Sequence, residues 1–264
     1  MACVLIAPAP SKVTWPAGAA YSPEEVTFSA TDGVRLKGWF LPRDGSTSAV
    51  VLLHGVRGNR DAMLARAFWL HELGYNVLLY DARGCGESAP VMLSFGCHET
   101  RDLLGSLRWL ETRGMTKAAC IGCSQGAATV LLASGDLPSS VRAVVAEASY
   151  ATLRNTVDDH FRSHAGLPGG YFGALAVPIA EWKLGVNMDD VSPLREISKL
   201  QVPVYLIGGT SDVLAPPAGI QELYAAAPCK KTLWLIQGAG HNDFFSYAED
   251  PYKQRIGNFL RSHL

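Results

Sequence analysis

The chain has 264 residues, of which 48% are apolar and 18% charged, and its formal net charge is −1. That length and balance fit one soluble globular domain, residues 1–264, with a large buried core. A near-neutral chain with no basic block argues against a nucleic-acid partner, and no apolar run approaches the ~20 residues of a membrane-spanning helix.

Met1–Pro10 lacks a positively charged start and is broken by prolines, so it does not read as a signal peptide. A cytoplasmic location is expected, with an anchor or export signal on a lost or trimmed N-terminus left open. Glu25–Ser29 and Val34–Leu41 flank the turn signal Thr31-Asp32-Gly33 and predict a hairpin. Ala49–Leu53 is a continuous apolar run, as for a strand buried on both faces. A helix from about Arg60 to Leu73, ended by Gly74, leads to a strand at Asn76–Tyr80 and a glycine-rich loop at Asp81–Ser88. Helix Glu99–Thr112 carries Leu103, Leu107 and Leu110 on one face. A strand then runs into Gly122-Cys123-Ser124-Gln125-Gly126, and a helix-prone stretch follows at once. Val141–Ala146 is another buried strand. The last third repeats the rhythm with strand Val202–Gly208, helix Pro217–Ala227, strand Lys231–Ile236 and helix Pro251–Ser262. The alternation predicts an α/β fold with a mostly parallel sheet and helices on both faces.

Only the stretch from Tyr150 to about Leu200 breaks the pattern. It mixes aromatics with Gly and Pro, and reads as a small helical cap over the carboxyl edge of the sheet. Tyr150, Phe161, Tyr171, Phe172, Leu175 and Trp182 are candidates for an acyl pocket there, although such residues in a short helical insert more often form its own core.

Gly-x-Ser-x-Gly between a strand and a helix has the form of a nucleophile elbow, with Ser124 on a tight, strained turn. A serine hydroxyl is a poor nucleophile at neutral pH. It needs a histidine as base and a carboxylate to orient that histidine. Asp212 follows the strand at 202–208 and His241 follows the strand at 231–236, so all three side chains are expected at one edge of the sheet. Glu147 and Asp243 are the rival orienters. The oxyanion formed on attack needs two N–H donors. The main chain of Gln125, which opens a helix, and that of Val56, in the loop His54–Asn59, are the candidates. His54 reads as a structural histidine of that loop, and Asp81 and Arg83 as loop-holding ion-pair residues.

The six cysteines do not suggest a metal site. Cys120 and Cys123 have the CxxC gap, but no second pair or histidine cluster completes it. A disulfide is not expected, Cys85 with Cys97 being the least implausible pair. No metal and no cofactor are implied.

With these residues in hand, the chain resembles the α/β-hydrolase superfamily from about Val26 to Leu264. The matching pieces are HGVRGN, YDARGCGES, IGCSQG, GGTSDVLAPP and GAGHND. The nearest likeness is to the small-cap, serine aminopeptidase-like branch, whose relatives include esterases, acylglycerol lipases, thioesterases and depalmitoylases. The resemblance implies a sheet of about eight strands, Ser124, Asp212 and His241 as triad, and Val56 and Gln125 as oxyanion donors. The expected activity is hydrolysis of small-molecule carboxylic esters of short to medium acyl chain. Thioester or amide cleavage is the alternative, and a non-catalytic binding protein the most remote one.

Overall fold

Eight strands form one sheet: β1 (Glu24–Ser29), β2 (Arg35–Leu41), β3 (Ser48–Leu53), β4 (Asn76–Tyr80), β5 (Lys117–Cys123), β6 (Val141–Glu147), β7 (Val204–Gly209) and β8 (Lys231–Ile236). This computed structural model describes residues 6–155, 178–179, 181–241 and 243–264. Across the sheet the order is 8-7-6-5-3-4-2-1. β2 runs antiparallel to β1 and β4, and the other neighbours are parallel. The burial of each strand follows its residues. β4 is buried throughout, whereas edge strand β1 buries Val26 and Phe28 and exposes Thr27 and Ser29.

Five longer helices cover the two faces: α1 (Leu64–Glu72), α2 (Glu99–Thr112), α3 (Gln125–Leu132), α4 (Pro217–Ala226) and α5 (Glu249–Arg261). On one face α1 and α5 bring Leu70, Ile256 and Leu260 into a core with Val50, Leu52 and Ile121. On the other, α2, α3 and α4 bring Leu107, Val130 and Ile220 against Val51, Leu78 and Val144. The helix expected from Arg60 is split: a 3₁₀ turn at Arg60–Met63, begun by the Asn59 side chain accepting from Asp61 N–H, precedes α1.

From β3 the chain steps to β4 on one side and then to β5 on the other. The loops after β3 and β5 therefore leave the same edge in opposite directions. Such a crevice at the carboxyl ends of parallel strands is where ligands bind in open α/β sheets. One contact was not foreseen. Ala9–Pro10 pairs in parallel with Cys85–Gly86, and the Arg57 side chain donates to Ala7 O at 3.0 Å, so the N-terminal segment lies against the loop carrying Val56.

Most of the expected cap, residues 156–177 and 180, lies outside the described residues. The described remainder includes a 3₁₀ turn at Met188–Asp190 and a short helix at Pro193–Glu196. Among the described residues no helix is long and apolar enough to cross a membrane.

Candidate active site

β5 delivers Ser124 into a turn at φ 53° and ψ −116°, a left-handed conformation that non-glycine residues rarely adopt. The surroundings hold it there. Its N–H donates to Glu147 O at 2.8 Å, and its own carbonyl accepts from Ala128 N–H at 3.0 Å, starting α3. The flanking glycines answer to main-chain contact. A Cβ at Gly122 would sit 2.4 Å from Gly126 C and O, and one at Gly126 would sit 2.4 Å from Leu53 O. Strand, elbow and helix thus close on one another with no room for a methyl group.

The loop after β8 brings His241 Nε2 to 2.9 Å from Ser124 Oγ. The loop after β7 brings Asp212 Oδ2 to 2.9 Å from His241 Nδ1. An ionised carboxylate only accepts, so Nδ1 carries the proton and Nε2 is left to accept from the serine hydroxyl. The second Asp212 oxygen accepts from Leu214 N–H at 2.9 Å and Ala215 N–H at 2.8 Å. Each Asp212 oxygen is thus engaged, one with the imidazole and one with the main chain of its own loop. The rival carboxylates are engaged elsewhere: Glu147 with Arg66 at 2.7 Å and Tyr252 Oη at 2.5 Å, and Asp243 with Arg66 at 2.5 Å.

Ser124 and His241 open onto a cavity of about 270 Å³ that Gly55, Val56, Arg66 and Cys123 also line. Gln125 is the first residue of α3, whose opening N–H groups have no intrahelical acceptor and carry the positive end of the helix field. Its side chain lines a separate small cavity beside His54 and Glu99. Cys123 is no rival nucleophile. Burial, reinforced by the negative charge of Glu147, pushes its thiol up to about 12, so it stays protonated at neutral pH.

His54 is occupied at both nitrogens: Nδ1 donates to Gly55 O at 2.7 Å and Nε2 accepts from Ala82 N–H at 3.0 Å. Burial lowers its pKa against the opposing pull of the Gly55 bond and of Asp81 and Glu99, which favours this neutral tautomer. Arg83 forks onto Asp32 at 2.9 Å through both terminal nitrogens and onto Asp102 at 2.8 Å, tying the loop after β4 to the hairpin and to α2.

Two of the expected pocket residues fall among the described residues. Tyr150 is buried, donates its hydroxyl to Phe95 O, and lines a neighbouring cavity with Ala215 and Glu222 instead of the one at Ser124. Trp182 is 82% exposed and is not among the described residues that line the Ser124 cavity. Aromatics in a segment without periodicity give no face assignment. Phe161, Tyr171, Phe172 and Leu175 lie outside the described residues. Cys85 and Cys97 are free thiols. Among the described residues no group of three or more His, Cys, Asp and Glu side chains is placed to hold a metal ion.

Sequence reasoning missed Arg66 and underused Asp243, both of which line the cavity. A signal for Arg66 existed. Met63, Arg66, Ala67 and Leu70 fall on one helical stripe, and an arginine on an apolar stripe demands buried partners.

Residues 48–178 match the family model described as alpha/beta hydrolase fold. The chain is 31% identical over 258 residues to the uncharacterized protein YfhR of Escherichia coli O157:H7, covering 92% of this chain and 82% of that protein. It is 27% identical over 235 residues to the uncharacterized protein YqkD of Bacillus subtilis, covering 86% of this chain and 76% of that one. A solved esterase of Pyrococcus furiosus, Pf2001, superposes with a TM-score of 0.82 at 25% identity, covering 97% of this chain and 98% of that one. The chain belongs to the α/β-hydrolase superfamily, and these likenesses support a hydrolase.

Proposed function

We propose that the protein is a serine hydrolase cleaving carboxylic esters of short to medium acyl chain. The observation that carries this reading is the hydrogen-bonded relay Ser124–His241–Asp212, 2.9 Å at each step and opening onto a cavity. His241 Nε2 takes the hydroxyl proton as Ser124 Oγ attacks the acyl carbonyl. The main-chain N–H groups of Val56 and Gln125 receive the developing oxyanion. Asp212 holds the imidazole in register and stabilises the imidazolium. The alcohol then leaves with the proton from His241, and water, activated by the same base, releases the acid.

The ester class is supported by the likeness to the Pyrococcus furiosus esterase. The acyl length is supported by the cavity, whose volume of about 270 Å³ over the described residues lies at the small end of ligand pockets. The test is a series of p-nitrophenyl esters from acetate to palmitate, run beside an acyl thioester and an aminoacyl anilide. Turnover is expected to peak at or below eight to ten carbons, roughly, and on the oxygen ester. A maximum at palmitate, or on the thioester or anilide, would overturn the substrate assignment.

A further inference from the structure

The two carboxylates weighed and set aside as orienters belong to one buried network. Arg66, on α1, is 1% exposed; its Nη2 lies 2.7 Å from Glu147 Oε2 and 2.5 Å from Asp243 Oδ1, and its Nε lies 3.3 Å from Glu147 Oε1. Tyr252, on α5, donates to Glu147 Oε1 at 2.5 Å. One end of the network bonds the nucleophile's main chain, and the other lies close in sequence to the base. Glu147 receives the Ser124 N–H through its main-chain oxygen at 2.8 Å, and Asp243 stands two residues after His241.

The loop carrying the base is thus pinned on both sides. Before His241, Ser211 N–H donates to Ala239 O at 2.9 Å and Gly238 N–H donates to Thr210 Oγ1 at 2.8 Å. After it, Asp243 is held by Arg66 and by Ser246 Oγ at 2.6 Å. The path Ser124–Glu147–Arg66–Asp243–His241 is a ring whose closing link is the 2.9 Å contact between His241 Nε2 and Ser124 Oγ. An arginine suits the middle of such a ring because its rigid fork fixes direction as well as charge.

We propose that Arg66 is a positioning residue, holding the His241 loop through Asp243 and thereby setting the distance between base and nucleophile. The proposal rests on the serine-hydrolase reading above. It also carries a charge consequence. The ionisable groups facing His241 are Asp212 from the loop after β7, Cys123 from β5, Arg66 from α1 and Asp243 from its own loop, with Glu147 of β6 and Tyr252 of α5 behind Arg66. Arg66, Glu147 and Asp243 together carry one net negative charge beside an imidazole that becomes cationic during the reaction.

Two variants of the full chain test this. Asp243→Asn keeps the shape and the Arg66–Glu147 pair but removes the negative charge that binds the histidine loop to Arg66. Arg66→Lys keeps the charge but loses the fork. On p-nitrophenyl butyrate, kcat is expected to fall about tenfold in both with KM within about twofold, the signature of a lost transition-state arrangement. In Asp243→Asn alone the acid limb of the kcat/KM profile should also move down by roughly half a pH unit, since a negative charge has left the imidazole. Reaction of Ser124 with a fluorophosphonate should slow in step with kcat. Unchanged kcat and acid limb in both variants, with an active wild type, would overturn the positioning role. A wild type that neither turns over nor labels would instead overturn the hydrolase reading.

Discussion

Gly126→Ala exposes how much of the site depends on main-chain contact. The added Cβ would lie 2.4 Å from Leu53 O and 2.7 Å from His54 O, where ordinary van der Waals contact begins at 3.4 Å. The obstacles are backbone atoms of β3's end, so no side chain can swing aside, and the start of α3 must retreat by about 1 Å. That movement separates Ser124 and Gln125 from Val56, two residues beyond His54. Misplacement of about 1 Å costs on the order of 100-fold in rate, or roughly 2.7 kcal/mol of transition-state stabilisation. The assay is kcat/KM on p-nitrophenyl butyrate, with circular dichroism to confirm that the chain folds. A folded variant within threefold of wild type would refute the argument that this contact sets the elbow.

Gly219→Ala is the matched control. The new Cβ, in α4, would meet Ala151 Cβ of the segment after β6 at 3.4 Å, an ordinary contact, so the variant should keep its activity and gain up to about 1 kcal/mol in urea unfolding. Asp212→Asn retains an oxygen for Leu214 and Ala215 but offers an amide to His241 Nδ1; kcat should fall by about 10³–10⁴ with little change in unfolding midpoint. His54 supplies a pH test. Its pKa is lowered on folding, so its contribution to stability is present above the unfolded value of about 6.5 and is lost as pH falls below it, at up to about 1.4 kcal/mol per pH unit. His54→Asn should flatten the dependence of unfolding free energy on pH between about 6.5 and 5, and an unchanged slope would contradict the buried neutral imidazole.

The sheet and the elbow were legible because their signals are local. Apolar runs such as Asn76–Tyr80 mark buried strands, and the glycines at 122 and 126 are forced by contacts within a few residues of Ser124. The meeting of Asp212 and His241 with Ser124 was legible because strand ends and chain order restrict where these side chains fall. The Arg66 network was not, since its partners lie 81 residues away at Glu147 and farther still at Asp243, and pairing over such separations leaves no periodicity to read. The pairing of Ala9–Pro10 with Cys85–Gly86 escaped for another reason: two residues are too few to carry a strand pattern. The exposure of Trp182 was not legible either, because an aromatic residue signals burial on average.

The central claim is that Ser124, activated by His241, forms the acyl-enzyme. Mass spectrometry of the protein treated with a fluorophosphonate tests it most directly. One adduct per chain on the peptide containing Ser124, absent in Ser124→Ala and matched by loss of p-nitrophenyl butyrate turnover, is the expected result. Turnover persisting in Ser124→Ala, or an adduct on another residue, would contradict it.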